Sequence, residues 1–326
     1  MPIKLTDLIA RVPREVEARV RRMRDQARPT IQDALRAECR LEFRTPEEMV
    51  QNLPGAKAPV GIAEGYPAVL HKIDFPDDFE RIILLGRYRA VLEQAVRSTS
   101  GLVELRRQLL RQPAPEKWVL ADEAALEAVA QWASALLRVL NQQDPLTKVL
   151  AVQEDVLGVY EYDARDLFRD ERAVNRATIR LYWGVIGLVS EWLGCSVEDL
   201  TVVVLTHELA HAFTQLGADI EGRRWPSPAF AAAETALKEG LAQYYTDRVL
   251  RRIGRRYGGA LGVFEAMLPR QSEPYRAHQT WEQSSPEAVR RAMLEIRRWK
   301  QGKIEDFERR LAVADNELDP EAAAPF

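Results

Sequence analysis

Cysteine and histidine are scarce in this 326-residue chain, which holds two of the first and four of the second. Cys39 and Cys195 stand far apart, so the sequence offers neither a disulfide framework nor a thiolate metal site. Long apolar runs are missing too. No stretch approaches the roughly eighteen residues that span a bilayer. The start, Met1-Pro2-Ile3-Lys4-Leu5-Thr6-Asp7, lacks the apolar core of a signal peptide. A membrane-spanning protein is thereby excluded as an expectation, and a cytoplasmic location is the default.

Nor does one charge dominate. Lys and Arg number 46 against 49 Asp and Glu, a net charge of −3, which argues against a nucleic-acid partner. Arg11, Arg14, Arg19, Arg21, Arg22 and Arg24 do cluster, but Glu15, Glu17 and Asp25 interrupt them. They read as the solvated face of a helix whose apolar stripe is Val12, Val16, Val20, Met23 and Ala27.

What is present is enough apolar residue, 46%, to build a sizeable core. The Pro/Gly-rich stretch Leu53 to Gly61 and the Gln112-Pro113-Ala114-Pro115 break punctuate the chain. They suggest a helical N-terminal region, 1–115, followed by a second region, 116–326. Helices are expected over Asp78 to Arg111, interrupted at Ser98-Thr99-Ser100-Gly101, and over Asp122 to Leu140, placed to back a sheet. Another is expected from Pro286 to about Ala312, before a frayed acidic tail, Asp315 to Phe326. Val156 to Tyr162 and Ala177 to Trp183 are rich in β-branched and aromatic residues and read as strands around a charged segment, Asp163 to Arg176. If the second strand is an exposed edge, an extended peptide can add to it. The fold class is α+β, predominantly helical, with a small sheet.

Two of the four histidines fall in one pentapeptide, His207-Glu208-Leu209-Ala210-His211. On a helix, positions four apart differ by about 40° of rotation and about 6 Å of rise, so both imidazoles can reach one metal ion with Glu208 beside it. The flanks Val203, Val204, Leu205, Ala212 and Phe213 are uncharged, as a buried ligand helix requires. Thr201 to Leu205 would also suit a strand. The Ser196/Asp199 capping box, the acids Glu198 and Asp199 and the stop at Gly217 decide for a helix over 197–216.

A catalytic zinc takes three protein ligands, so one more is needed. The arrangement with a histidine or aspartate six residues after the second histidine is excluded, because that position is Gly217. Asp219 lies in a Gly-Ala-Asp turn and reads as an ordinary loop acid. Glu239 is the stronger candidate, on a helix expected over 229–252. Thr235, Ala236, Ala242, Gln243 and Thr246 give its face small or polar neighbours, with Gly240 adjacent, so this face can approach the first helix. Glu234, about 140° round the helix, is assigned an outer or solvent-facing place. Tyr244 and Tyr245 point away from that face and read as packing residues, and His71 as structural.

His-Glu-x-x-His followed on a later helix by Glu239-Gly240-Leu241-Ala242-Gln243-Tyr244 resembles the gluzincin metallopeptidases, which include thermolysin-like and aminopeptidase-N-like enzymes. The resemblance covers roughly residues 150–250. It implies a zincin-like catalytic domain with His207, His211 and Glu239 as zinc ligands and Glu208 as general base. The Gly-x-Met-Glu-Asn segment of aminopeptidases is absent, which removes support for that activity. Gln243 stands where thermolysin-like enzymes carry an aspartate that orients a histidine. The resemblance also calls for an oxyanion donor outside the two ligand helices, for which His278 and Tyr275 are the candidates. The expected activity is zinc-dependent hydrolysis of peptide bonds in a peptide or protein substrate. Two alternatives are a helical interaction or sensing protein that keeps the zinc without efficient turnover, and a regulatory protease for one partner, with residues 1–115 as its recognition element.

Overall fold

The computed structural model describes residues 2–76, 79, 88–109, 111, 123–152, 155–162 and 176–318. Gln112 to Pro115, residues 163–175 of the charged inter-strand segment, and the tail from 319 lie outside these. The described chain is predominantly helical with two small sheets, and no helix is long and apolar enough to cross a membrane.

The chain forms two compact units, Met1–Leu5 with Ile73–Lys148 and Thr6–Lys72 with Val149–Phe326. This division differs from the expected break after 115. Residues 6–72 belong with the His-Glu-x-x-His helix because the helix Glu15–Cys39 packs along it, burying Val16, Val20, Ala27, Ile31 and Leu35. Arg19 fastens the pair, its Nε and Nη2 donating to the two carboxylate oxygens of Glu198 at 2.8 and 2.6 Å. That arginine is therefore an interhelical link rather than part of a solvated face. Pro29 sits inside the N-terminal helix on its exposed side.

In the first unit, Ile3–Lys4 pairs with Asp74–Phe75, and the helices Arg89–Leu109 and Glu123–Gln142 pack together over Leu92, Ala133 and Leu140. One expectation is corrected there. The first helix runs unbroken through Ser98-Thr99-Ser100-Gly101, with Thr99 buried and the Ser100 hydroxyl donating to the Val96 carbonyl inside the helix (2.9 Å). The second helix packs on that neighbour.

In the second unit, Ala177–Tyr182 is the central strand of three. It pairs in parallel with Val60–Ala63 and antiparallel with Gly158–Tyr162, so Ile179 stands between Val60 and Tyr160. Ala177, Ile179 and Leu181 are buried while Thr178 and Arg180 are exposed, the period-two alternation of a strand with one covered face. The first strand is hidden in the Pro/Gly stretch because four residues beside Pro59 show no usable period. Among the described strands Gly158–Tyr162 is paired on one side only, so the edge next to the motif helix is this strand and not Ala177–Tyr182.

The expected helix from Pro286 is two, Pro286–Ile296 and Ile304–Leu318. Glu234 causes the break to hold its shape: its N–H donates to Gly302 O (2.9 Å) and its carboxylate accepts Ile304 N–H (2.8 Å).

Cys39, the last residue of the helix Glu15–Cys39, is buried, and burial pushes its thiol from 9.0 up to about 12. Above pH 9 an unfolded chain loses this proton while the folded chain keeps it, so the contribution to stability is intact below that pH and declines as pH rises toward 12. The urea midpoint should therefore fall between pH 8 and pH 10.5, and a Cys39→Ala variant should show a shallower fall. Equal slopes would show that Cys39 titrates the same way folded and unfolded.

Candidate metal centre

The motif helix runs Val197–Leu216. Ser196 caps it, accepting the Asp199 N–H at 3.0 Å, while Glu198 and Asp199 place negative charge at its positive end. Every residue from Leu200 to Leu216 is buried, which overrides the strand preference of Val202-Val203-Val204. At the far end, Arg224 Nε donates to Leu216 O (3.0 Å) and Arg297 donates to Gly217 O, satisfying carbonyls that the helix leaves open.

The Glu239 helix is Thr235–Ile253, shorter than expected. A separate turn of helix, Ser227–Ala232, precedes it, and the extended backbone at Ala233 and Glu234 divides the two. Glu234 is thus a helix-start residue tied to Gly302 and Ile304. Ala242, Gln243 and Thr246 are buried as expected of a close-packed face, although Thr235 is exposed. Gly240 serves another neighbour, since a Cβ there would lie 2.5 Å from Trp281 Cη2. Tyr244 and Tyr245 are buried packing residues.

These two helices bring three ligating atoms to one point. His207 Nε2 and His211 Nε2 are 3.1 Å apart, and Glu239 Oε2 is 3.3 Å from the first and 3.2 Å from the second. Metal bonds of about 2.0–2.1 Å at the tetrahedral angle give ligand separations of about 3.3 Å. One shared proton can bridge only two of these atoms, whereas one cation satisfies all three. Asp155 joins them, its Oδ1 3.7 Å from His207 Nε2, and the four ligating atoms lie within 4.8 Å of one another. This donor set of nitrogen and oxygen fits a divalent metal ion.

Glu208 stands beside this cluster and is 1% exposed. Its Oε2 is buried with no hydrogen-bond partner among the described residues. Burial pushes the carboxyl well above its ordinary range, and the charges of Asp155 and Glu239 push the same way against the pull of His207. Glu239 shows the opposite balance: burial raises it, but the two imidazoles outweigh burial and hold it low. His207 is penalised by burial yet raised overall by its contacts with Asp155 and Glu239. Gly158 makes room for Glu208, since a Cβ at that position would come within 2.7 Å of Glu208 Oε1 and 2.9 Å of Val204 Cγ1.

Tyr275 reaches the cluster and His278 does not. The Tyr275 ring lies 5.8 Å from the His207 ring, and its hydroxyl donates to Asp155 Oδ1. His278 is fully buried behind it, with Nδ1 3.0 Å from Tyr275 O and Nε2 3.7 Å from Glu282. Its place is structural support for the Tyr275 turn, and of the two expected oxyanion candidates Tyr275 is the one beside the cluster. Asp219 closes its own turn by accepting from Glu221 N and Arg223 N, away from the cluster. Gln243 donates to Gln271 (3.0 Å) rather than to an imidazole. His71 is exposed and stacks edge-on against Tyr66.

Asp155 had no signature in the sequence. It is one of 49 acids, far upstream of the motif, and no helical spacing connects it to either histidine. Tyr160, on the edge strand, was also unmarked; its ring lies parallel to His211 with centroids 6.0 Å apart.

Beside His207 and Glu208 opens a cleft of about 50 Å3, walled by Leu150, Val152, Val156, Val203, Phe264 and Met267. Comparison of the chain with family models, curated proteins and solved structures finds no match.

Proposed function

We propose that this chain is a zinc-dependent peptidase whose ligands are His207, His211 and Glu239 and whose general base is Glu208. The observation that carries the proposal is the convergence of three ligating atoms at 3.1–3.3 Å beside a buried carboxyl with an unpartnered oxygen. A bound zinc supplies a water of lowered pKa and an electrophile for the scissile carbonyl.

The chain's own residues supply the rest. Glu208 takes the proton from the attacking water and returns it to the leaving amine. The Tyr275 hydroxyl donates to the oxygen on which negative charge develops. Among the described strands Gly158–Tyr162 is paired on one side only, and that edge takes an extended substrate while the apolar cleft takes a small aliphatic side chain. The gluzincin-type arrangement is proposed on these residues.

The presence of Asp155 favours the one serious alternative, a closed metal site that serves structure or sensing, because closed coordination is the mark of structural zinc. A peptide-library digest separates the two. The proposal expects cleavage by the full chain, lost on chelation and restored by zinc, with an aliphatic preference next to the cut. No cleavage by zinc-loaded protein favours the closed site.

A further inference from the structure

Asp155 differs from the other three groups of the centre in every respect that bears on exchange. It lies between the helix ending at Leu150 and the strand beginning at Gly158, not on a long helix. Its side chain is 18% exposed, against 9% for His207, 4% for His211 and 11% for Glu239. Its oxygen is 3.7 Å from His207 Nε2, longer than the 3.1–3.3 Å separations of the inner three.

Charge explains why it is there. Two neutral imidazoles with the carboxylates of Glu239 and Asp155 sum to −2, which cancels a divalent ion. Without Asp155 on the metal, the centre keeps a net positive charge that favours ionisation of a water in its place. Asp155 is also tied to the residue placed to serve the oxyanion, since it accepts the Tyr275 hydroxyl. The same hydroxyl cannot hold Asp155 and donate to a substrate with one proton.

We propose that Asp155 is a displaceable fourth ligand that closes the centre at rest, latched by Tyr275. When Asp155 leaves, the fourth position opens to water and the Tyr275 hydroxyl is released to the substrate in the same movement. The exchange is a carboxylate for a water and changes no oxidation state. This inference rests on the peptidase reading of the same centre, and it makes Asp155 and Tyr275 one two-position device.

The test is spectroscopic. The full chain is loaded with Co2+, and azide, a small anion that takes an open metal position, is titrated against the visible absorption bands. Latching reduces apparent azide affinity by the fraction of open centres, so wild type should bind azide at least about tenfold more weakly than Asp155→Ala. Tyr275→Phe should fall between them. Asp155→Asn, which preserves shape, stands in if the alanine variant fails to fold, and it too should bind azide more tightly than wild type. Equal azide affinity in wild type and either Asp155 variant overturns the latch while leaving the three-ligand centre standing. Cobalt bands that survive His207→Ala overturn the centre itself, and the latch with it.

Discussion

Glu208→Gln is expected to keep its zinc and to lose peptide turnover by about a hundredfold to ten-thousandfold, the range of positioned general-base catalysis. The substitution is almost isosteric, so the fit against Gly158 and Val204 survives. What disappears is a carboxylate beside the cluster that can accept a proton without leaving a metal-ligand position. Stability should not suffer, because the amide fills the same space and carries no charge to bury. Metal content, thermal midpoint and kcat on one peptide from the library digest check this together. A variant that cleaves within about tenfold of wild type would remove Glu208 from the chemistry.

The second large effect is on the metal. Glu239→Ala should weaken zinc affinity by more than about 100-fold, the upper end of what outer-sphere partners cost. It removes one of three inner donors and leaves His207 and His211 without their shared carboxylate. Folding reports the same loss. Free zinc at about 1,000 times its Kd stabilises a chain by about 4 kcal/mol, so wild type should melt roughly 10 °C higher with zinc than after chelation. Glu239→Ala should show little of that shift. A variant that retains wild-type affinity would transfer the third position elsewhere, with Asp155 the nearest carboxylate available.

The motif helix was legible in full. Its cap, its acidic first turn and its glycine stop are local signals, and the structure places its ends at Val197 and Leu216 as the sequence reading has them. Glu239 was legible for a different reason, because the small residues around it mark a helix face that can come close to another. What stayed hidden depends on contacts between distant segments. Nothing near residue 234 shows that its carboxylate will hold Ile304 and so start one helix and divide another. Nothing near residue 155 shows that a loop before a strand delivers an aspartate to the histidines. His278 misled because a scarce histidine in a polar aromatic segment resembles a functional one, while its ring is used to hold the Tyr275 carbonyl. The grouping of residues 6–72 with the motif helix was likewise hidden, because it rests on Arg19 and the stripe around Val20 meeting a helix 179 residues away.

The metal centre is tested most directly by an anomalous-scattering map recorded at the zinc edge from crystals of the full chain grown with zinc. The account predicts one strong peak within about 2.0–2.2 Å of His207 Nε2, His211 Nε2 and Glu239 Oε2. No peak at that point, or a peak that excludes any of these three atoms, would contradict it.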